Sequence, residues 1–137
     1  MKRVIRLLLV AFPLIVLACT KTPTNDDSSD NHQPEFYVKY ASEGLGTTDL
    51  FKYNVSYKDE KGEEKSFSNL NADSFERTIG PVSMGFEASF RIWVYNTNDS
   101  RTRFARIEVK KDDGPFAVKA EKSGKGYSGV SVSYTIE

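Results

Sequence analysis

FKYNVSYK, residues 51–58, alternates without a break: Phe51, Tyr53, Val55 and Tyr57 fall on one side of an extended chain, and Lys52, Asn54, Ser56 and Lys58 on the other. A period of two with aromatic and β-branched residues on the apolar side specifies a strand, and it predicts one buried and one solvated face. The same texture extends in both directions. Upstream, Phe36, Val38 and Tyr40 alternate with Tyr37 and Lys39. Downstream, a short strand surrounds Phe67 and another carries Phe75 and Ile79. After Gly80-Pro81 and Gly85, a long strand places Phe86, Ala88, Phe90, Ile92 and Val94 on one face. A sixth strand buries Ala105, Ile107 and Val109, and a seventh uses Phe116, Val118 and Ala120. The last sets Val130, Val132, Tyr134 and Ile136 against Ser131, Ser133 and Thr135. Gly, Asn and Asp clusters separate these runs at short intervals, and no segment shows a 3.6-residue period. This is the pattern of an antiparallel sandwich or barrel.

Parity tests which strands form hairpins, because a slip of one residue turns every side chain to the opposite face. Between the second and third strands, a three-residue loop Glu60-Lys61-Gly62, with Gly62 in the left-handed conformation of a G1 bulge, brings Val55 opposite Phe67. A four-residue loop would oppose Val55 to Ser66. Between the fifth and sixth strands, a two-residue Asn98-Asp99 turn opposes Ile92 to Ala105 and Phe90 to Ile107. On the other face that hairpin sets Trp93 opposite Phe104, with Tyr95 beside them and Arg91 facing Arg106. Trp93, Tyr95 and Phe104 then form an aromatic platform for a sugar ring or a protein, rimmed by Arg91 and Arg106. The competing expectation is a second small core, with the three rings covered by the amino-terminal segment or a loop.

The other polar candidates point to little chemistry. Asp112 and Asp113 carry hard oxygen atoms suited to calcium, but no repeated acidic loop accompanies them and Asp113-Gly114 reads as a turn. Asp73 and Glu76 are the carboxylate pair to consider for acid-base work. From Glu35 to Glu137 there is no Cys and no His, so His-based triads, thiol nucleophiles and His-ligated zinc are excluded from that stretch. No Gly-rich loop precedes a helix to cradle a phosphate. The expectation is therefore a non-enzymatic protein with no catalytic residues, no metal and no cofactor.

The amino terminus carries an address. Lys2, Arg3 and Arg6 form a positive flank, residues 7–18 a short apolar run, and Ala18 a small residue at a cleavage junction, so residues 1–18 read as a removable signal peptide. The run is too short for a membrane-spanning helix, which needs about 20 apolar residues. Val16-Leu17-Ala18-Cys19 resembles the lipobox of signal-peptidase-II substrates, with Leu17 a less common choice at its position. The resemblance implies a mature chain that begins at Cys19, the only cysteine, with a diacylglyceryl group on its sulfur. At about 0.8 kcal/mol per buried methylene, one acyl chain holds reversibly and two or more hold stably. Thr20 stands where an aspartate would signal inner-membrane retention, so an outer-membrane lipoprotein is expected, either periplasmic-facing or surface-exposed. Residues 20–34 (TKTPTNDDSSDNHQP) hold no large apolar residue and read as a flexible tether. It spans about 50 Å when extended and about 20 Å as a coil. His32, the only histidine, lies in it as a solvated residue.

Lys and Arg number 19, as do Asp and Glu, and loss of Lys2, Arg3 and Arg6 leaves 16 basic against 19 acidic side chains, a mature charge of −3. Without a basic tract to track phosphates, nucleic acid is not an expected partner. The remaining 103 residues, 35–137, suffice for one core and one domain. Gly80-Pro81-Val82, Gly85-Phe86, Ala105-Arg106-Ile107-Glu108-Val109 and Gly114-Pro115-Phe116-Ala117-Val118-Lys119-Ala120 resemble small single-domain lipoproteins of anaerobic Gram-negative bacteria. Most of those have no assigned activity, so the likeness implies fold and address. Phe36-Tyr37-Val38-Lys39-Tyr40 and the strand order resemble the MmpS family of membrane-anchored accessory proteins, which implies an immunoglobulin-like or transthyretin-like form. The fold expected is thus an all-β antiparallel sandwich of about seven to eight strands. The function expected is a lipid-anchored envelope module that binds a protein partner or a glycan. The rivals are a structural or transport-accessory subunit of an envelope complex and a hydrolase working through carboxylates alone.

Overall fold

The computed structural model describes residues 33–46, 52–94, 100–126 and 129–137. Cys19, the signal peptide, the tether as far as His32, Phe51, Tyr95 and the Asn98-Asp99 turn lie outside the described residues. Eight strands follow in order: β1 (Phe36–Glu43), β2 (Tyr53–Lys58), β3 (Glu64–Leu70), β4 (Phe75–Val82), β5 (Glu87–Val94), β6 (Thr102–Lys111), β7 (Ala117–Lys125) and β8 (Val130–Thr135). They form two antiparallel four-stranded sheets, β4-β1-β6-β7 and β3-β2-β5-β8, packed face to face as a β-sandwich.

The apolar faces of the alternating runs meet between the sheets. Val38, Tyr40, Val55, Phe90, Ile92, Ala105 and Ile107 are wholly buried there. Aromatic rings cross the layer: Tyr40 lies 5.3 Å from Tyr57 and 5.6 Å from Phe90 between ring centroids, and Phe75 stacks on Phe90 at 5.7 Å. The Tyr40 hydroxyl, carried inside by its ring, donates to the Lys58 carbonyl at 2.8 Å. Burial pushes this phenol well above its ordinary range, so it stays a donor.

The β2–β3 hairpin has the expected register, with Val55 opposite Phe67 and Lys58 opposite Glu64. Gly62 closes the three-residue loop at φ 79°. Asp59 organises it: the Asp59 N–H donates to the Glu63 carbonyl, and the Asp59 carboxylate accepts the N–H groups of Lys61 and Glu63 at 3.0 and 2.9 Å.

Other expectations need correction. β5 and β6 do not form a hairpin. β5 lies between β2 and β8, and β6 between β1 and β7, in opposite sheets. Phe90 and Ile92 belong to the same core as Ala105 and Ile107, but they face them across the sandwich and not along one sheet. β2 has no wet face. Asn54 and Ser56 are 1% and 6% exposed, because β2 is an inner strand and Trp93 and Arg91 stand beside them on β5. Asn54 is satisfied there by the Asn69 N–H, which reaches its Oδ1 at 3.1 Å where β3 bulges.

Gly80-Pro81, joined by a cis peptide bond, lie within β4 and do not end it. β4 is an edge strand, where the missing N–H of proline costs no ladder bond. Finally, a bulge at Ile107/Glu108 offsets β7: Ala120 and Ala117 face the core side, while Val118 pairs with Glu108 on the outer face and is 55% exposed. Phe116 precedes β7, and its ring lies under Lys39 and Lys110 on the outside of the sheet, at 4.9 and 5.7 Å.

Candidate functional site

Trp93 and Phe104 are carried to opposite outer faces of the sandwich, so they form no common platform. Phe104 pairs with Glu43 on β1 and Ser123 on β7, whereas Trp93 pairs with Asn54 on β2. Arg91 stands opposite Ser56 and Ser131, and Arg106 opposite Ala41 and Glu121, so the two arginines do not face each other. The parity that matched Trp93 to Phe104 is correct for each strand alone. It fails for the pair because their strands lie in different sheets.

The two outer faces differ in chemistry. On the β4-β1-β6-β7 sheet, an ion-pair network runs through Arg106 and Lys39. Arg106 Nε lies 2.6 Å from Glu121 Oε2, and its Nη1 lies 3.6 Å from Glu108 and 3.8 Å from Glu43. Lys39 Nζ lies 2.6 Å from Glu108. The hydrogen bond to Glu121, with the nearby Glu43 and Glu108 charges, outweighs partial desolvation and holds the Arg106 guanidinium above its ordinary range. Lys110 covers the Tyr37 ring at 4.6 Å, and the Tyr37 hydroxyl donates to Glu35 at 3.0 Å. Phe104, 38% exposed, sits at one end of this ladder.

The β3-β2-β5-β8 sheet presents short hydroxyls. Alternation on β2, β5 and β8 directs Ser56, Ser89, Ser131 and Ser133 outward, and the pairings Ser56 to Arg91, Arg91 to Ser131 and Ser89 to Ser133 bring them together. Arg91 lies in their midst with its guanidinium 5.1 Å from the Trp93 ring. Among the described residues no carboxylate forms an ion pair with Arg91. Gly129, at φ 76°, permits this packing: a Cβ there would stand 2.6 Å from the Ile92 carbonyl oxygen and 2.9 Å from Trp93 Cβ. Two shallow depressions flank Arg91 and share Ser131. The first, about 250 Å³, is also lined by Ser56, Lys58 and Ser89, and the second, about 390 Å³, by Lys122 and Gly129.

The serine rows were visible in the sequence as the polar halves of the second, fifth and eighth strands. Their convergence follows only from the order β2-β5-β8. Of the other candidates, Asp112 fastens the start of β1: its Oδ1 accepts the Glu35 N–H at 2.9 Å and its own N–H donates to the Glu35 carbonyl at 2.7 Å. The Asp73 carbonyl accepts the Leu45 N–H at 3.0 Å, and Glu76 is exposed on β4. Among the described residues, no group of three or more His, Cys, Asp or Glu side chains is placed to hold a metal ion. No family model matches the chain, and no curated protein matches it.

Proposed function

We propose that the chain is a lipid-anchored, non-enzymatic binding module of the cell envelope, held at the outer membrane through Cys19 and engaging a protein partner or a glycan through the outer face of the β3-β2-β5-β8 sheet. The observation that carries the choice of face is the contrast between the two sheets. One outer surface carries an ion-pair network around Arg106 and Lys39, and the other, beside its Lys58–Glu87 pair, keeps an arginine, a tryptophan and a field of hydroxyls turned outward. Interface anchors are enriched in Trp and Arg, and short hydroxyls supply hydrogen bonds at small entropic cost.

Two measurements test the reading. Metabolic labelling with a fatty-acid probe should mark the wild type and not Cys19→Ala, and the variant should leave the membrane fraction. An unmodified sulfur or a retained Met1 in the natural protein overturns the anchor. A photo-crosslinking residue at Ser133 should give adducts in the envelope, while the same residue at Thr78, exposed on the other sheet, should not. Adducts from Thr78 alone, or from neither position, overturn the binding face.

A further inference from the structure

We infer that Ser56, Arg91, Trp93 and Ser131 form the centre of a site for an acidic saccharide, a sugar chain that carries carboxylate or sulfate groups; this rests on the binding face proposed above and names its ligand class. Three independent observations converge on it. Arg91 is a cation without an acidic partner among the described residues, and it lines two depressions, one with Lys58, which pairs with Glu87 at 3.3 Å, and the other with Lys122. Glu64 is the only carboxylate lining either of them. Ser56 is 6% exposed and opens into the first depression, yet its hydroxyl has no hydrogen-bond partner among the described residues. Its hydroxyl is free to bond a group that enters the depression.

The mixture of groups selects the ligand. A guanidinium takes a carboxylate or sulfate in a two-pronged hydrogen-bonded pair. The indole beside it offers an apolar surface to the C–H side of a sugar ring. The serines on β2, β5 and β8 are both donors and acceptors, matching sugar hydroxyls. A neutral sugar would crowd Arg91 without compensating its charge, and an acidic peptide such as polyglutamate would offer the indole no sugar ring to pack on. The depressions are open and shallow, as suits a polymer that lies along a sheet.

Trp93 is the sole tryptophan of the chain, so its fluorescence reports directly on this site. Titration of the mature chain with polygalacturonate or chondroitin sulfate should perturb Trp93 emission saturably. Dextran and polyglutamate should bind at least about tenfold more weakly. Arg91→Ala should weaken polygalacturonate binding about tenfold, as loss of a hydrogen bond to a charged group does, with Arg91→Lys recovering part of it. Ser56→Ala should weaken binding about threefold while its thermal midpoint stays equal or rises, because the removed hydroxyl stabilises nothing in the free protein. Arg106→Ala, on the opposite face, should bind like wild type.

Equal binding of dextran, equal binding of polyglutamate, failure of both acidic glycans to bind, or an unaffected Arg91→Ala overturns the inference. Adducts from Ser133 in the envelope without acidic-glycan binding overturn this ligand class alone and leave the binding module standing. Absence of those adducts overturns the binding face on which this site rests.

Discussion

Two glycines show how differently a single position can matter in this sandwich. Gly62 has φ 79°, and a Cβ built there meets nothing within 4 Å. The whole cost of Gly62→Ala is therefore left-handed backbone strain, about 1 kcal/mol, and Gly62→Asn should cost less because asparagine tolerates that conformation. Denaturant titration should show a lowered midpoint with an unchanged slope and no shift in Trp93 emission. Gly129 has a similar φ of 76°, but a Cβ there collides with the Ile92 carbonyl and Trp93 Cβ. Gly129→Ala must part β8 from β5 as well as strain the turn, so its cost should exceed that of Gly62→Ala and Trp93 emission should move. Equal losses in the two variants, with Trp93 unmoved in both, would refute the close contact as the reason for glycine at 129.

Among the elements, the β2–β3 hairpin carries a pH dependence that starts at Asp59. Desolvation alone would raise its carboxyl, but the Glu63 N–H, the Lys65 ammonium 3.2 Å away and the Lys61 N–H outweigh it and hold the group below the ordinary aspartate range. A folded-state pKa below the unfolded one gives stability that is present above the unfolded value, about 4, and is lost as pH falls through the folded value. Melting curves from pH 6 to pH 2 should therefore show a steeper acid loss for wild type than for Asp59→Asn, with the variant less stable at pH 6; parallel curves would contradict this. The same hairpin was legible in the sequence down to its register, since turn chemistry at Gly62 and parity at Val55 and Phe67 are local properties. The β5–β6 connection was not. Phe90 opposing Ile107 within a sheet and Phe90 facing Ile107 across a core about 10 Å thick satisfy the same alternation. The choice between them depends on β1, β2, β7 and β8 taking the available edges. Trp93 and Arg91 were therefore readable as outward residues, while Phe104 and Arg106 were assigned to the wrong neighbourhood. Phe116 and Val118 were misplaced for a smaller reason: the bulge opposite Glu108 reverses the alternation of β7 at its start.

For the molecule as a whole, these placements divide the two outer faces between stability and recognition, and two arginines test that division. Arg106 holds Glu43, Glu108 and Glu121 together, so Arg106→Ala leaves Glu43 and Glu121 without it on the β4-β1-β6-β7 sheet while Lys39 still holds Glu108. Discounted for partial exposure, the network is worth about 1 kcal/mol, at the upper end for surface ion pairs because several charges share one partner. Added salt screens both the attraction in wild type and the repulsion in the variant, so the stability gap should narrow between low and high ionic strength. Arg91→Ala removes no ion pair and only the stack on Trp93, and its stability should stay within about 0.5 kcal/mol of wild type at any salt concentration. Urea titrations of both variants at two salt concentrations, set beside Ser133 crosslinking yields, should then give opposite profiles: Arg106→Ala destabilised in a salt-dependent way but still crosslinked, and Arg91→Ala stable but weakly crosslinked. If Arg91→Ala is instead the destabilised variant, its guanidinium serves the fold, and the outward-facing hydroxyl sheet loses its claim to be the recognition surface.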